Sequence, residues 1–432
     1  MKFVENNELL SWFVRKFINQ TRDKSDIVNK TLTALLAGTM LLSLPSVNAI
    51  HDELVTGEGK ATFYRDVHGM AIGMPTLYND AFVAMQADSR LAMRNEGVVV
   101  IDEHLIEHTG ENIEGVACYY SPSEERHVLA ISTITLHYWL GTIEYPVAFK
   151  IYRRLQELEK CGKAQDYKKK NDIARDMIRE VFARKGAPSL ALFDSGFMTK
   201  KTALLLKALH VNYISRPKRP WTCSYKHKRY SLEKLFETIP VDEFKAVVVT
   251  NPKTGKKKTQ LAAVRDVYIP QIGKHRVVFV DCTKEKRKKG DKETAETRTA
   301  ASGRKFRLFI TNVMTWDAAT ILSKYSLRWT IETSYRDMNQ HLSLSGCKWR
   351  ELSAQYFFIA LTFLCYLFLK WAKVHGWLTR NSSELRTIGK LKQAFSHYCQ
   401  YQYHSWLKEL EQENGECGIN EWILERVRAD VC

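Results

Sequence analysis

Two short apolar runs in this 432-residue chain each stop on an aspartate: Val98-Val99-Val100-Ile101 before Asp102, and Leu190-Ala191-Leu192-Phe193 before Asp194. Runs without polar alternation read as strands covered on both faces, the habit of strands in α/β sheets. Acids at the ends of such strands sit where open sheets collect their sites. One acid after a buried strand is common by chance. Two make a sheet-centred α/β core the fold to expect, and they direct attention to a third group that would join them.

The surrounding pattern fills in the architecture. Residues 1–95 read as helical: Leu9, Leu10, Phe13, Val14 and Phe17 recur at helical spacing, an apolar run follows from Thr31 to Leu44, and a further helix is expected from Asp80 to Met93. Strands are expected at Val116–Tyr120, His127–Leu136 and Val211–Ser215, with helices at Asp172–Ala183 and Thr199–Leu209. From 216 to 305 the chain turns β-rich. Strand-like runs at Phe244–Thr250, Leu261–Ile269 and Val277–Val280 are separated by basic turns at Lys256-Lys257-Lys258 and Lys284–Lys289, which either touch phosphate or are merely solvated. Phe306–Ile310 reads as a last core strand, residues 315–341 as one long helix, and the remainder as helical. The expected division is a helical module (1–95), a core in two parts (96–215 and 306–375), a β-rich basic insertion between them (216–305) and a helical C-terminal segment (376–432).

Charge narrows the partner. Sixty-five Lys and Arg against 48 Asp and Glu leave a formal net charge of +17, which favours a polyanion, either nucleic acid or an anionic membrane surface. Two apolar stretches bear on that choice. Thr31–Ile50 follows thirty residues that mix Glu5, Glu8, Asp23 and Asp26 with basic residues, unlike a secretory signal, and Pro45 ends it short of a membrane span. Tyr356–Leu369 is uncharged but of a length that suits a buried core helix. No membrane association is expected. The nine cysteines include no CxxC pair and are odd in number, which speaks against a zinc ribbon or a disulfide framework and for the reduced thiols of a cytosol.

The third group is found in Ile321–Gln340. Tyr325, Arg328 and Glu332 fall at i, i+3 and i+7, so on a continuous helix they share one face within roughly 60°. Leu327, Ile331 and Met338 fall together on another face, available for packing on a sheet. The row suits one metal ligand and two phosphate-oxygen donors, with Trp329 beside them as an aromatic surface for a displaced base. Cleavage of a phosphodiester by two hard divalent ions needs such carboxylates, held on converging rigid elements. The plain alternative is an exposed helix with a routine Arg–Glu pair.

The run Tyr325-x-x-Arg328-Trp329-x-Ile331-Glu332 resembles the Tyr-Arg-Glu-Lys signature of bacterial insertion-sequence transposases of the DDE superfamily. Val100-Ile101-Asp102-Glu103-His104 and Ala191-Leu192-Phe193-Asp194-Ser195-Gly196-Phe197 are similar to the surroundings of that family's two aspartates. The resemblance covers residues 97 to 372. It implies a ribonuclease-H-like mixed sheet core with helices, interrupted by a β-rich insertion and flanked by helical segments. It further implies that Asp102, Asp194 and Glu332 bind two Mg2+ ions, for which Mn2+ can substitute. Tyr325 and Arg328 would contact phosphates at the cleaved end, and Trp329 would lie near an extruded base. Asn339 stands where the family carries lysine, so it would meet phosphate without charge. The implied partners are double-stranded DNA, both the element's terminal repeats and the target, and a second copy of the chain in the DNA complex, with segment 376–432 as a dimer contact. The implied setting is the cytoplasm, at the nucleoid. A metal-activated water would cut one strand at each end, and the freed 3′-hydroxyl would attack across the duplex or into target DNA.

Two other readings compete. His104-x-x-Glu107-His108 matches the pattern of inverted zinc metallopeptidases, which need it on a helix; here it follows a strand and runs into Thr109-Gly110. A DNA-binding relative with reduced or lost catalysis is the other, and Asn339 is the feature in its favour.

Overall fold

The computed structural model describes residues 8–18, 26–55, 58–121, 124–218, 221–283, 297–378, 387–405 and 408. It divides into two compact units, Ala92–Tyr335 and the paired segments Met1–Leu91 and Arg336–Cys432. The basic turn expected at Lys284–Lys289 and most of segment 376–432, with its dimer contact, lie outside the described residues.

Ala92–Tyr335 is built on one mixed sheet. Its first part comprises β1 (Val98–Glu107), β2 (Ala117–Ser121), β3 (Arg126–Leu140), β4 (Ile143–Tyr152), β5 (Leu190–Phe193) and β6 (Asn212–Ser215). The second comprises β7 (Thr222–Tyr225), β8 (Lys228–Ser231), β9 (Lys245–Thr250), β10 (Lys257–Ile269), β11 (Gly273–Asp281), β12 (Arg298–Thr299) and β13 (Lys305–Thr311). The order across the sheet is β2-β3-β1-β5-β6-β13-β11-β10-β7-β8, with β4 on β3, β9 on β10 and β12 on β13. β1, β5 and β6 run parallel, and the remaining pairs are antiparallel. This is the mixed α/β fold that the apolar runs indicated, consistent with a ribonuclease-H-like core.

Burial explains why these segments are strands. Val98 to Ile101 and Leu190 to Phe193 are buried throughout, as central strands covered on both faces must be. The Lys170–Phe182 helix lays Ala174, Met177, Ile178 and Val181 against β3 and β4. Sequence reasoning missed β4, which carries Pro146. Among the described residues β4 pairs only with β3, and Pro146 sits beside a bulge at Leu136/His137, where a missing N–H is tolerated. The β-rich stretch does not stand apart from the core. β13 pairs with β6 on one side and β11 on the other, so the second half of the sheet continues the first.

The other unit is helical. Its N-terminal part holds Glu8–Phe13, continued by a π-helical turn Val14–Ile18, then Asp26–Leu41, Val47–Leu54, Lys60–Gly73 and Leu77–Met85. The last of these replaces the helix expected over Asp80–Met93. Leu352–Val374 supplies the core, packed by Asp26–Leu41, Lys60–Gly73 and Leu77–Met85. This is the buried core helix that the uncharged run Tyr356–Leu369 indicated. Aromatic contacts join the two segments: Phe13 meets Phe368 at 5.1 Å and Trp371 at 5.5 Å, and Tyr78 meets Phe363 at 5.5 Å. At 23 residues the Leu352–Val374 helix is long and apolar enough to cross a membrane, but 78% of its most apolar window is buried within the protein. Enclosure by other helices accounts for its composition.

Leu364, fully buried in this helix, tests that account. Leu364→Ala should cost about 2–5 kcal/mol in urea denaturation, the range for cavity formation in a packed core. A loss below about 1 kcal/mol would remove the helix from the bundle interior.

Candidate active site

Strand register brings the two aspartates together. β1 and β5 run parallel with Ile101 opposite Phe193 as their last paired residues, so the next position on each chain is an aspartate. β5 ends there, whereas β1 continues to Glu107 with Asp102 opposite Thr135 of β3. Asp102 is therefore within its strand rather than at its end. The four residues from Asp102 are half-buried where the preceding four are buried, as expected once β5 no longer covers β1.

The loop after β5 fixes Asp194. Its Oδ1 accepts hydrogen bonds from the backbone N–H of Gly196 (2.8 Å) and Phe197 (3.3 Å), and its carbonyl accepts one from the Ser215 hydroxyl at 3.1 Å. A Cβ on Gly196 would stand 3.0 Å from that same Oδ1, so a side chain there would press on the carboxylate and displace it by a few tenths of an ångström. Oδ2 has no hydrogen bond among the described residues and is open to a ligand.

The third element departs from the single helix expected over 315–341. Ala318–Tyr325 is α-helical, Ser326–Arg328 forms a 3-10 turn, and Trp329–His341 is α-helical again. A 3-10 turn brings residues three apart into eclipse, so the helical phase alone would keep Tyr325 beside Arg328, and it is packing that parts them. Tyr325 leaves the row. Its ring packs edge-on against Phe309 of β13 at 4.9 Å and is buried. Arg328, Glu332 and Tyr335 form the row instead, lying along β1. Arg328 Nη1 donates to Asp102 Oδ2 at 2.9 Å, and Nη2 pairs with Glu332 Oε1 at 2.5 Å. Tyr335 stacks on His104, two residues beyond Asp102 on the same face of β1, with centroids 4.0 Å apart and planes within 10°.

The electrostatics follow from that packing. Asp102 is pushed up to about 7, chiefly by burial; the Arg328 guanidinium opposes this, while Asp194 and Glu332 add to it. Burial lowers His104 to about 4, so its imidazole is neutral. Because β1 runs on to Glu107, His104 and His108 lie four residues apart on extended chain, about 13 Å, too far to share one ion. The metallopeptidase reading fails on that distance.

The donor set fits hard divalent cations: carboxylate oxygens only, on three elements, with burial, aided by the neighbouring acids, holding a proton on Asp102 near neutrality. Among the described residues no three acidic, histidine or cysteine side chains are already spaced as a cage. A guanidinium lies between Asp102 and Glu332 where positive charge is wanted, and loading an ion there requires those oxygens to exchange Arg328 for it.

The remaining candidates distribute as follows. Trp329 is 50% exposed, with the Arg328 guanidinium 5.9 Å from its ring. Asn339, exposed, is seven residues beyond Glu332 on the same helix, in the part assigned to the helical unit. Lys256, Lys257 and Lys258 are exposed where the β9–β10 hairpin enters β10. That hairpin reaches the acid-bearing helix. Thr250 N–H donates to Ser323 Oγ at 3.1 Å, and Lys253 Nζ bonds Glu144 Oε2 at 2.6 Å and Thr333 Oγ1 at 3.5 Å. Sequence reasoning missed Lys253 because its partner Glu144 lies on the unrecognised β4.

Two family models match the chain: a transposase DDE domain over residues 160–368, and a DDE superfamily endonuclease over residues 78–221. The first spans Asp194 and Glu332, the second Asp102 and Asp194. No curated protein matches the chain.

Arg328 is the cation within this acid cluster, and pH exposes its role. With Asp102 raised above its ordinary value, the native state holds a proton that the unfolded chain releases, so stability present below about pH 4 is lost as pH rises through about 7. Arg328→Ala removes the influence that lowers Asp102, so the decline should extend to higher pH. Melting temperatures in chelator between pH 5 and 9 should fall more steeply for the variant; parallel curves would mean that Arg328 does not neutralise the cluster.

Proposed function

We propose that this chain, which belongs to the DDE superfamily of transposases and endonucleases, is the transposase of a bacterial insertion sequence that cuts double-stranded DNA at the element's ends and joins them to a target. What supports this most is one observation: the two aspartates are adjacent in parallel register, and Arg328 ties the first of them to Glu332. Transposase-like function is common ground for both matching models. End binding, strand transfer and origin in an insertion sequence are this proposal's own content.

Asp102, Asp194 and Glu332 are the residues that would hold divalent ions, two of them, Mg2+ or Mn2+ in its place. Ions held there supply activation of the attacking water and stabilisation of the leaving oxygen. The protein's own groups do the positioning. The loop N–H groups aim Asp194 through Oδ1 and leave Oδ2 to the ligand. Arg328, once its carboxylates are engaged elsewhere, has a fork suited to a phosphate oxygen pair. Trp329 offers an exposed ring for an unstacked base, and Lys256, Lys257 and Lys258 offer charge to the backbone. Asn339 can hydrogen-bond a phosphate but adds no charge. Tyr325 meets phosphate in this proposal only if it leaves Phe309; otherwise it braces the start of the 3-10 turn. The helical segment 1–95 is assigned to recognition of the element ends, a second copy of the chain to the DNA complex, and the cytoplasm, at the nucleoid, to the setting. Asn339 keeps one other reading in play, a DNA-binding relative with reduced or lost catalysis.

Glu332→Gln separates the two. It keeps shape and helix propensity but removes a charged oxygen ligand. Nicking of end DNA in Mg2+ should fall by about a hundredfold or more, since even the partners of metal ligands are worth 10–100-fold. Gel-shift affinity should stay within about twofold, because affinity comes mainly from Lys and Arg contacts. Asp194→Ala should match it in both assays. Parental nicking by either variant would overturn the ligand assignment, and a parent that binds ends without nicking them would favour the non-catalytic reading.

A further inference from the structure

Beside the loop that follows Asp194 lies a cleft of about 610 Å³, bordered by Lys169, Lys200, Lys201, Lys218, Trp221 and Gln271. It joins the first half of the sheet unit to the second. Asn171, at its rim, donates from Nδ2 to the carbonyl of Gly196 at 3.2 Å, so the rim is tied to the turn that aims Asp194.

Its charge is one-sided. None of the four lysines has an ion pair or hydrogen-bond partner for its ammonium among the described residues. Arg175 and Asp172, also at the border, are spent on each other. The lysines stand where fold stability does not call for them. Two helices begin at this cleft, Lys170–Phe182 after Lys169 and Lys200–Ala208 after the Thr199 cap. A helix start carries partial positive charge and favours acids; lysines there oppose the dipole, and a bound anion offsets both. The volume is in the range of an extended ligand site rather than that of a single phosphate. Trp221 is buried, so it offers no stacking face for a base. Lysine ammoniums act as point charges on phosphate oxygens and carry no sequence information.

We propose that this cleft binds the sugar-phosphate backbone of duplex DNA, independently of sequence, on the side of the second aspartate. This rests on the transposase reading for its choice of polyanion, but it is a statement about binding and not about cleavage. None of these lysines belongs to the residues assigned above to metal or to the cleaved end.

The test is the salt dependence of binding, by fluorescence anisotropy, to random-sequence duplexes rich in A·T or in G·C. Each phosphate contact contributes about 0.9 to the slope of log affinity against log salt, so the combined variant Lys200→Gln, Lys201→Gln and Lys218→Gln should lower the slope by about 2.7, equally for both duplexes. Asp194→Ala should keep the parental slope. A fall of less than about one, or a fall confined to one duplex, overturns the proposal. Loss of inorganic tripolyphosphate binding with the duplex slope retained assigns the cleft to a small polyanion and overturns it too. Acetylation footprinting of the unaltered chain gives an independent reading: bound duplex should protect Lys200, Lys201 and Lys218, and equal labelling with and without DNA counts against the cleft. No cleavage is required, so a chain that binds DNA here and never cuts it would defeat the cleavage reading while leaving this one intact.

Discussion

The parallel pairing of β1 with β5 is the constraint on which the rest of the site depends. Side chains alternate along a strand, so a slip of one residue would send Asp102 to the opposite face from the one the Trp329–His341 helix covers. Nothing at the acids themselves prevents such a slip. It is prevented upstream, where Val98 to Ile101 and Leu190 to Phe193 are buried on both faces and can neither shift nor turn without exposing apolar surface or opening a void. The carboxylates are costly groups held in place by inexpensive ones. That division also explains how half-buried acids can coexist with a stable sheet: the pairing of β1 with β5 ends at Ile101 and Phe193, the site begins at the next residue of each, and β3 still holds β1 as far as Glu107.

The same alternation marks what the sequence could and could not reveal. The two strands and their aspartates were legible because a short, uninterrupted apolar run bounded by polar residues fits little besides a strand covered on both faces, and the mixed α/β class followed from them. The acid-bearing helix was legible in position but not in its contacts. Tyr335 lies three residues beyond Glu332 and seven beyond Arg328, on the same face by plain helical periodicity, and went unread; Tyr325 is held out of the row by its packing on Phe309, which periodicity does not report. β4 was hidden by Pro146, whose usual meaning is a break, and with it went the Lys253–Glu144 pair. The β-rich stretch was recognised but taken as separate, because the pairing that joins it to the core, β6 with β13, links residues far apart in the chain, Ser215 with Ile310. The long helix Leu352–Val374 was known to be buried by its composition. Its partners were not, since an apolar helix carries no signal of which faces it meets.

Charge placement connects these points to function. In the acid cluster, two carboxylates, with a third close by, meet one guanidinium that is 7% exposed, an arrangement whose desolvation cost exceeds what ordinary packing of the same volume would bear. Arg328 cannot be removed cheaply, because its loss would leave Asp102 and Glu332 facing each other. On the proposed reading, divalent ions entering this cluster would displace the proton of Asp102 and release Arg328 from its carboxylates. The lysines around the neighbouring cleft show the complementary excess. They oppose two helix dipoles and pair with no acid among the described residues, in a chain that is short of acids overall. Close-lying surpluses of opposite sign persist in a folded protein when an external ligand satisfies both. In the proposed function a metal-loaded phosphodiester would do that: cations to the carboxylates, phosphates to the lysines, and an arginine free to pass from one to the other.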